Sequence, residues 1–324
     1  MKEAIRNFPK QLKFEPKIEN VENLRPAKKF IVSGMGGSHL AADLIKTYKP
    51  FFDVLIHHDY GLPAVSDDLK NYLTIISSYS GNTEEALDGF NQAISQNLPV
   101  AAVSIGGKLL ELAKKYKKPY IQMPDTGIEP RSALGFSAVS ILKLMGQENA
   151  LSEIKNISFD MEKLKKEGQA LAQRIKGHIP VIYTTTNNGP IGYNWKIRFN
   201  ETGKIPAFYN TVPELNHNEM VGFDREGKSK KLSDNFYFIF LKDKNDHKRN
   251  LLRMEIMKEI YEEKGLTVEV LELEGKNTWE KIFTSLTMAD WAAFYTAQIY
   301  KLEAQETAII TRFKNTIKER GGLL

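Results

Sequence analysis

Short apolar runs recur through the first half of the chain, at Phe30 to Ser33, Phe52 to Ile56, Leu73 to Ser77 and Val100 to Ser104. Between them lie Leu40 to Tyr48, Glu84 to Gln96 and Leu109 to Tyr116, where apolar residues return at helical spacing. Strand and helix signals that alternate in this way predict right-handed βαβ units and a parallel sheet covered by helices on both faces. Ser132 to Met145 reads as a buried helix, and the polar, lysine-rich stretch from Gln147 to Lys166 separates this half from the next. The pattern then repeats. Strand signals fall at Ile179 to Thr185, Asn235 to Leu241 and Thr267 to Leu273, with helices at Tyr193 to Asn200, Leu251 to Lys264 and Trp279 to Tyr300. The expected architecture is α/β, with two doubly wound domains at residues 1–150 and 151–324. A terminal helix from Ala304 to Arg320 is added to the second.

Two loops carry the first chemical signal. Gly34-Met35-Gly36-Gly37-Ser38 and Ser78-Tyr79-Ser80-Gly81-Asn82-Thr83 each follow a strand signal and open a helical one. Such loops aim backbone N–H groups at an anion, and the helix dipoles favour its charge. Gly36 and Gly37 allow close backbone approach, and Ser38, Ser78, Ser80 and Thr83 add uncharged hydroxyl donors. A phosphate monoester is the simplest ligand for this cradle. No lysine follows these glycines as a nucleoside-triphosphate loop requires. A dinucleotide fingerprint fits Gly34 and Gly36 but meets His39 at its third glycine, although Asp59 stands at the spacing of a ribose-binding acid. In the second half the corresponding loops read Thr185-Thr186-Asn187-Asn188-Gly189 and Lys242 to His247, without paired serines. Only the first half is expected to hold phosphate.

With 324 residues the chain is long enough for two cored domains, and its formal net charge of +5 is modest. Clusters such as Lys114-Lys115-Tyr116-Lys117-Lys118 read as solvated helix faces rather than a nucleic-acid site. There is no cysteine, which excludes disulfides and thiolate chemistry and suits a cytoplasmic protein. No signal-peptide pattern follows Met1, and no apolar run approaches the length that spans a bilayer, so no membrane partner is expected.

Further candidates stand in unusual local contexts. Arg131 follows Pro130 in a loop that enters a helix, where it could stabilise developing negative charge or make a surface ion pair. Glu201 ends a helix, and the unfavourable dipole there would raise its pKa towards that of a proton-transfer base. His217 has the densest polar surroundings of the six histidines. His217 and Glu219 would diverge on a helix, His57 and His58 would diverge on a strand, and no H-x-x-x-H pair exists, so no metal site is expected. Lys314 falls seven residues after Thr307, on nearly the same helix face.

Taken together and in order, the two loops, Pro130-Arg131-x-Ala133, Trp195-Lys196 to Asn200-Glu201 and Glu214-Leu215-Asn216-His217-Asn218-Glu219 resemble the bifunctional phosphoglucose/phosphomannose isomerase family. That family belongs to the sugar isomerase (SIS) domain superfamily. The resemblance implies two SIS domains, a homodimer and aldose–ketose isomerisation without metal or cofactor. Glucose 6-phosphate, and mannose 6-phosphate with it, would interconvert with fructose 6-phosphate through a cis-enediolate. It assigns phosphate binding to Ser38, Ser78, Ser80 and Thr83, base catalysis to Glu201, and ring opening to His217 supplied by the partner subunit. Lys314 is the best match to a C-terminal catalytic lysine, and Thr307 to a residue associated with tolerance of both epimers. The chain departs from the family pattern at Glu84-Glu85 and at Glu303-Ala304. Another sugar phosphate as substrate, or a non-catalytic sugar-phosphate sensor, would use the same cradle. A sensor has no need of Glu201, His217 and Arg131 together, and no helix-turn-helix extension is present to read DNA.

Overall fold

The computed structural model describes residues 1–65 and 68–321. Two short helices, α1 (Lys2–Arg6) and α2 (Phe8–Gln11), open the chain. The first sheet unit then runs β1 (Lys29–Ser33), α3 (Gly37–Tyr48), β2 (Asp53–His57), β3 (Tyr72–Ser77), α4 (Glu84–Ser95), β4 (Val100–Ser104), α5 (Gly107–Lys115) and β5 (Tyr120–Gln122). Helices α6 (Leu134–Leu144), α7 (Glu148–Lys155) and α8 (Met161–Arg174) lead into the second. That unit comprises β6 (Ile179–Thr185), α9 (Gly189–Glu201), β7 (Phe208–Val212), α10 (Glu219–Gly222), β8 (Phe236–Lys242), α11 (Lys248–Glu263), β9 (Thr267–Glu272) and α12 (Thr278–Ile299). Helix α13 (Ala308–Gly321) ends the described chain.

All strand pairings within both sheets are parallel, and the two orders match, β2-β1-β3-β4-β5 and β7-β6-β8-β9. In each sheet the order reverses beside the first strand, which leaves a crevice at the carboxyl ends where ligands bind in open α/β sheets. In the first sheet that crevice lies between β1 and β3, where both glycine–serine loops begin.

The two units face each other across one core. Phe30, Val32, Leu44 and Ile141 from the first join Ile182, Ile239, Phe199 and Phe283 from the second. Helix α3 packs on α9, and α12 packs on α8 and α9. The outer faces keep separate cores, one beneath α4 and α5 and one beneath α11. Helix α6 is mostly apolar and is buried along its length except at Lys143, as Ser132 to Met145 predicted.

Some elements differ from the sequence reading. The polar stretch from Gln147 holds α7 and the start of α8, and residue 150, the expected division, lies within α7. Leu164, Leu171 and Ala172 of α8 are buried although the helix is otherwise polar, because they meet α12. The edge strands β5 and β7 carry no strand signal in the sequence. The first is only three residues long, and the second reads Phe-Tyr-Asn-Thr-Val with its side chains mostly part-exposed. Among the described residues no helix is long and apolar enough to cross a membrane.

Candidate active site

The two loops meet where the turn chemistry places them. Gly36 caps α3 with a φ of 50°, and Gly81 turns the second loop at 71°, both in the region that disfavours side chains. A Cβ on Gly34 would stand 2.4 Å from the Ser77 carbonyl oxygen, so the first loop can lie against the end of β3 only without a side chain. The Tyr79 N–H donates to Ser38 Oγ at 3.0 Å, which ties the loops to each other. Ser78 Oγ donates to Thr83 Oγ1 at 2.9 Å and accepts from the Gly81 N–H at 3.1 Å. Thr83, the residue before α4, accepts from Ser78 through Oγ1, so its own hydroxyl proton remains available to a ligand. Ser38 and Ser78 are buried, whereas Ser80 is exposed and its Oγ accepts from the Asn82 N–H at 3.3 Å.

The dinucleotide alternative meets a different geometry. His39 is buried with Nδ1 2.7 Å from Asp43, and the exposed Asp59 carboxylate accepts from the N–H of Tyr60 at 2.7 Å. A turn-capping acid of that kind is not aimed at a ribose.

The first loop leads directly to Arg131. A Cβ on Gly37 would lie 2.6 Å from the carbonyl carbon and oxygen of Pro130 and 2.9 Å from the Arg131 nitrogen. Arg131 is 3% exposed, so the surface ion pair considered for it is replaced by a buried brace. Its Nε donates to Thr202 Oγ1 at 3.0 Å and Nη1 to Glu201 Oε2 at 3.3 Å. Nη2 reaches the carbonyl oxygens of Ala304 at 3.1 Å and Gln305 at 2.7 Å. One planar guanidinium thereby joins the cradle, the end of α9 and the chain that precedes α13.

Glu201 and Thr307 line a single cavity of about 530 Å³ with Asn200, Lys204 and Glu303. Lys204 carried no signal in the sequence reading. It adopts a φ of 60°, and its ammonium donates to the carbonyl oxygen of Glu306 beside Thr307. Burial, followed by the nearby Arg131 charge, lowers the Lys204 pKa from the usual lysine value. The segment is held once more by the Met1 ammonium, which donates to Gln305 Oε1 at 2.7 Å. Beneath the site Arg198, one turn before Glu201, pairs with Asp290 of α12 at 2.8 Å. Burial raises the Asp290 carboxyl, against the pull of Arg198 and Arg131.

Two candidates stand elsewhere. His217 is exposed in the turn after β7, and Glu201 ends α9, before β7 begins. Glu201 precedes the amino end of β7 and His217 follows its carboxyl end, so the two flank opposite ends of that strand. Glu219 is turned into the fold, accepting from the Tyr183 hydroxyl and the Asn210 amide. Lys314 lies exposed on α13, on the helix that Thr307 precedes.

The corresponding loops of the second sheet are closed by their own polar groups. Lys281 Nζ binds both Asp243 oxygens at 2.7 and 2.9 Å, and Asn188 Nδ2 meets both Asp246 oxygens at 3.2 and 3.1 Å. A neighbouring cavity of about 250 Å³ is lined by Asp160, Glu167, Glu272, Glu274 and Glu280 with Lys163, an excess of negative charge that disfavours phosphate. Among the described residues no group of three or more histidine, aspartate or glutamate side chains is placed to hold a metal ion.

Paired parallel sheets with a hydroxyl-lined crevice on one of them define an SIS-type phosphosugar fold. A hypothetical protein from Thermus thermophilus shares it with a TM-score of 0.69 at 14% identity, over 98% of this chain and 88% of that one. Residues 164–317 match the bacterial phospho-glucose isomerase C-terminal SIS domain. The bifunctional phosphoglucose/phosphomannose isomerase of Aquifex aeolicus is 32% identical over 98% of both chains. That of Caldicellulosiruptor bescii is 30% identical over 98% of this chain and 99% of its own. The chain belongs to the bifunctional phosphoglucose/phosphomannose isomerase family.

Proposed function

We propose that this protein interconverts glucose 6-phosphate and mannose 6-phosphate with fructose 6-phosphate, in a homodimer whose active sites draw on both subunits. The observation that carries the reading is the Arg131–Glu201 pair at 3.3 Å, set beside the phosphate cradle by the contact of Gly37 with Pro130. The cradle fixes one end of the sugar, so that binding energy positions the carbons at the other end. Ser80, Thr83 and the N–H groups at the starts of α3 and α4 hold the phosphate oxygens, and Ser38 and Ser78 shape the loops that present them.

The ring opens first. His217 of the partner subunit, with Lys314, moves the proton that the ring oxygen gains and the anomeric hydroxyl loses. The Glu201 carboxylate then takes the proton from C2 of the open aldose, giving a cis-enediolate; the hydroxyl proton passes from O2 to O1, and Glu201 returns its proton to C1 to form the ketose. The Arg131 charge offsets that of the enediolate. Since C2 is planar in this intermediate, one base serves both epimers, and Thr307 borders the space in which they differ. The first sheet unit supplies the phosphate site, and the second supplies the base.

A coupled assay on both hexose phosphates, run alongside solvent deuterium exchange at C2, tests the proposal. Isomerisation of both with deuterium entering C2 is expected. Tight binding of fructose 6-phosphate without turnover or exchange would support the sensor reading instead.

A further inference from the structure

The segment that borders the Glu201 cavity is held through its backbone by two cations. Arg131 Nη2 donates to the carbonyl oxygens of Ala304 and Gln305, and the Lys204 ammonium donates to the next one, that of Glu306. Three successive carbonyls are thereby engaged, and the residue that follows them is Thr307. The Thr307 carbonyl in turn accepts from the N–H groups of Ile310 and Thr311 at 3.0 and 3.1 Å. The first turn of α13 is therefore fixed to the same point.

Lys204 reaches Glu306 from an uncommon backbone. Helix α9 closes with the N–H groups of Thr202 and Gly203 both donating to the Arg198 carbonyl, at 2.9 and 3.0 Å. A Cβ on Gly203 would stand 2.8 Å from the Phe199 carbonyl oxygen, so the turn lies tight against the helix. Lys204 then takes a φ of 60°, in the left-handed region where glycine fits freely and a side chain costs free energy. A residue that served only to end α9 would be better as glycine. The side chain is instead part-buried near the charges of Arg131, Glu201, Glu303 and Glu129. Its ammonium ties the end of α9, which carries Glu201, to the segment that carries Thr307, and Glu201, Lys204 and Thr307 line one cavity.

Glucose 6-phosphate and mannose 6-phosphate differ only at C2, the carbon on which Glu201 acts in the reading above. The wall of the cavity that holds the base therefore meets the difference between them. We propose that Lys204 is a positioning residue for substrate choice: by holding the Glu306 carbonyl it sets where Thr307 stands relative to Glu201, and with that the relative turnover of the two epimers. This rests on the isomerase reading and names the residue that balances its two substrates. Arg131 does not replace it, since the guanidinium's carbonyl contacts end at Gln305 and leave the peptide between Glu306 and Thr307 to Lys204.

Three substitutions in the full chain test the proposal. Lys204→Met keeps the stem without its donors. Lys204→Gly suits the left-handed turn, and so guards against a loss of folding, but removes the side chain. Lys204→Arg restores a charged donor. For each, kcat/KM is measured on both hexose phosphates, and hydrogen exchange over residues 302–312 is followed by mass spectrometry. Lys204→Met and Lys204→Gly should shift the ratio of the two kcat/KM values by roughly fivefold or more. Exchange in the segment should be roughly tenfold faster in both. Lys204→Arg should stay within about twofold of the wild type on each measure. A merely structural role would slow both epimers alike, so an unchanged ratio overturns the proposal even where exchange quickens. A shifted ratio with unchanged exchange would mean that Lys204 acts on the sugar itself rather than through Thr307, and overturns it as well. Both failures leave the isomerase reading standing. A wild-type protein that isomerises neither hexose phosphate overturns that reading and this inference with it.

Discussion

Replacing Arg131 with lysine separates its charge from its geometry. The guanidinium makes four hydrogen bonds, to Thr202, Glu201, Ala304 and Gln305, at 3.0, 3.3, 3.1 and 2.7 Å, from a side chain only 3% exposed. A lysine keeps the positive charge but concentrates its donors on one nitrogen, which cannot span the edge from Nε to Nη2. Two of the four bonds are then lost. At about 1.5–3 kcal/mol for each bond from a charged donor, the loss is about 3–6 kcal/mol. Water entering the vacated edge recovers part of it, so the lower end, about 3 kcal/mol, is the expected cost. Because two of the bonds hold Ala304 and Gln305, much of the effect should appear as opening of the segment before α13. Native-state cleavage by trypsin after Lys301, followed by mass spectrometry, reads that opening, since proteolysis tracks the open population when reclosing is fast. A 3 kcal/mol shift corresponds to roughly 100-fold faster cleavage. The urea midpoint should also fall. Cleavage within twofold of the wild type, together with an unchanged midpoint, would refute the idea that Arg131 braces the site.

Three shorter tests bear on other parts of the site. Thr83→Ala should raise the Kd for fructose 6-phosphate about 10- to 100-fold by calorimetry, because it removes a hydroxyl from a charged acceptor and deprives Ser78 Oγ of its partner; equal affinity would remove Thr83 from the phosphate site. Gly37→Ala should lower both thermal stability and kcat/KM, since its Cβ would stand 2.6 Å from the backbone of Pro130 and push Arg131 from the cradle; a variant with wild-type melting temperature and rate would contradict that close approach. Glu201→Gln should cut kcat about 10²- to 10⁴-fold with a smaller change in KM; near-normal turnover would move the base to another carboxylate.

Much of the fold was legible because its signals are local. A buried parallel strand is a short apolar run, a helix start is a glycine or hydroxyl residue beside it, and both lie within a few residues of the groups they organise. Ser38 and Thr83 could therefore be picked out along with the helices they open. Strand β5, strand β7 and helix α8 were not legible, since their burial depends on neighbours distant in sequence: α8 is polar except where α12 covers it. The same distinction runs through the site. Glu201 and Arg131 each stand out in their own segments, but only packing of α9 against α3 and α12 makes them partners. Lys204 has no local signal, because its task is to meet the backbone of Glu306, 102 residues away. His217 shows the limit in the other direction. Its motif is distinctive, yet the fold sets it beyond the opposite end of β7 from Glu201. The sequence alone determined the glycine–serine turns and the elements that flank them, since these arise from contacts within a single loop. The tertiary structure decided the strand order, the burial of Arg131 and the assembly of its four partners, because those follow from how distant segments exclude water from a common core.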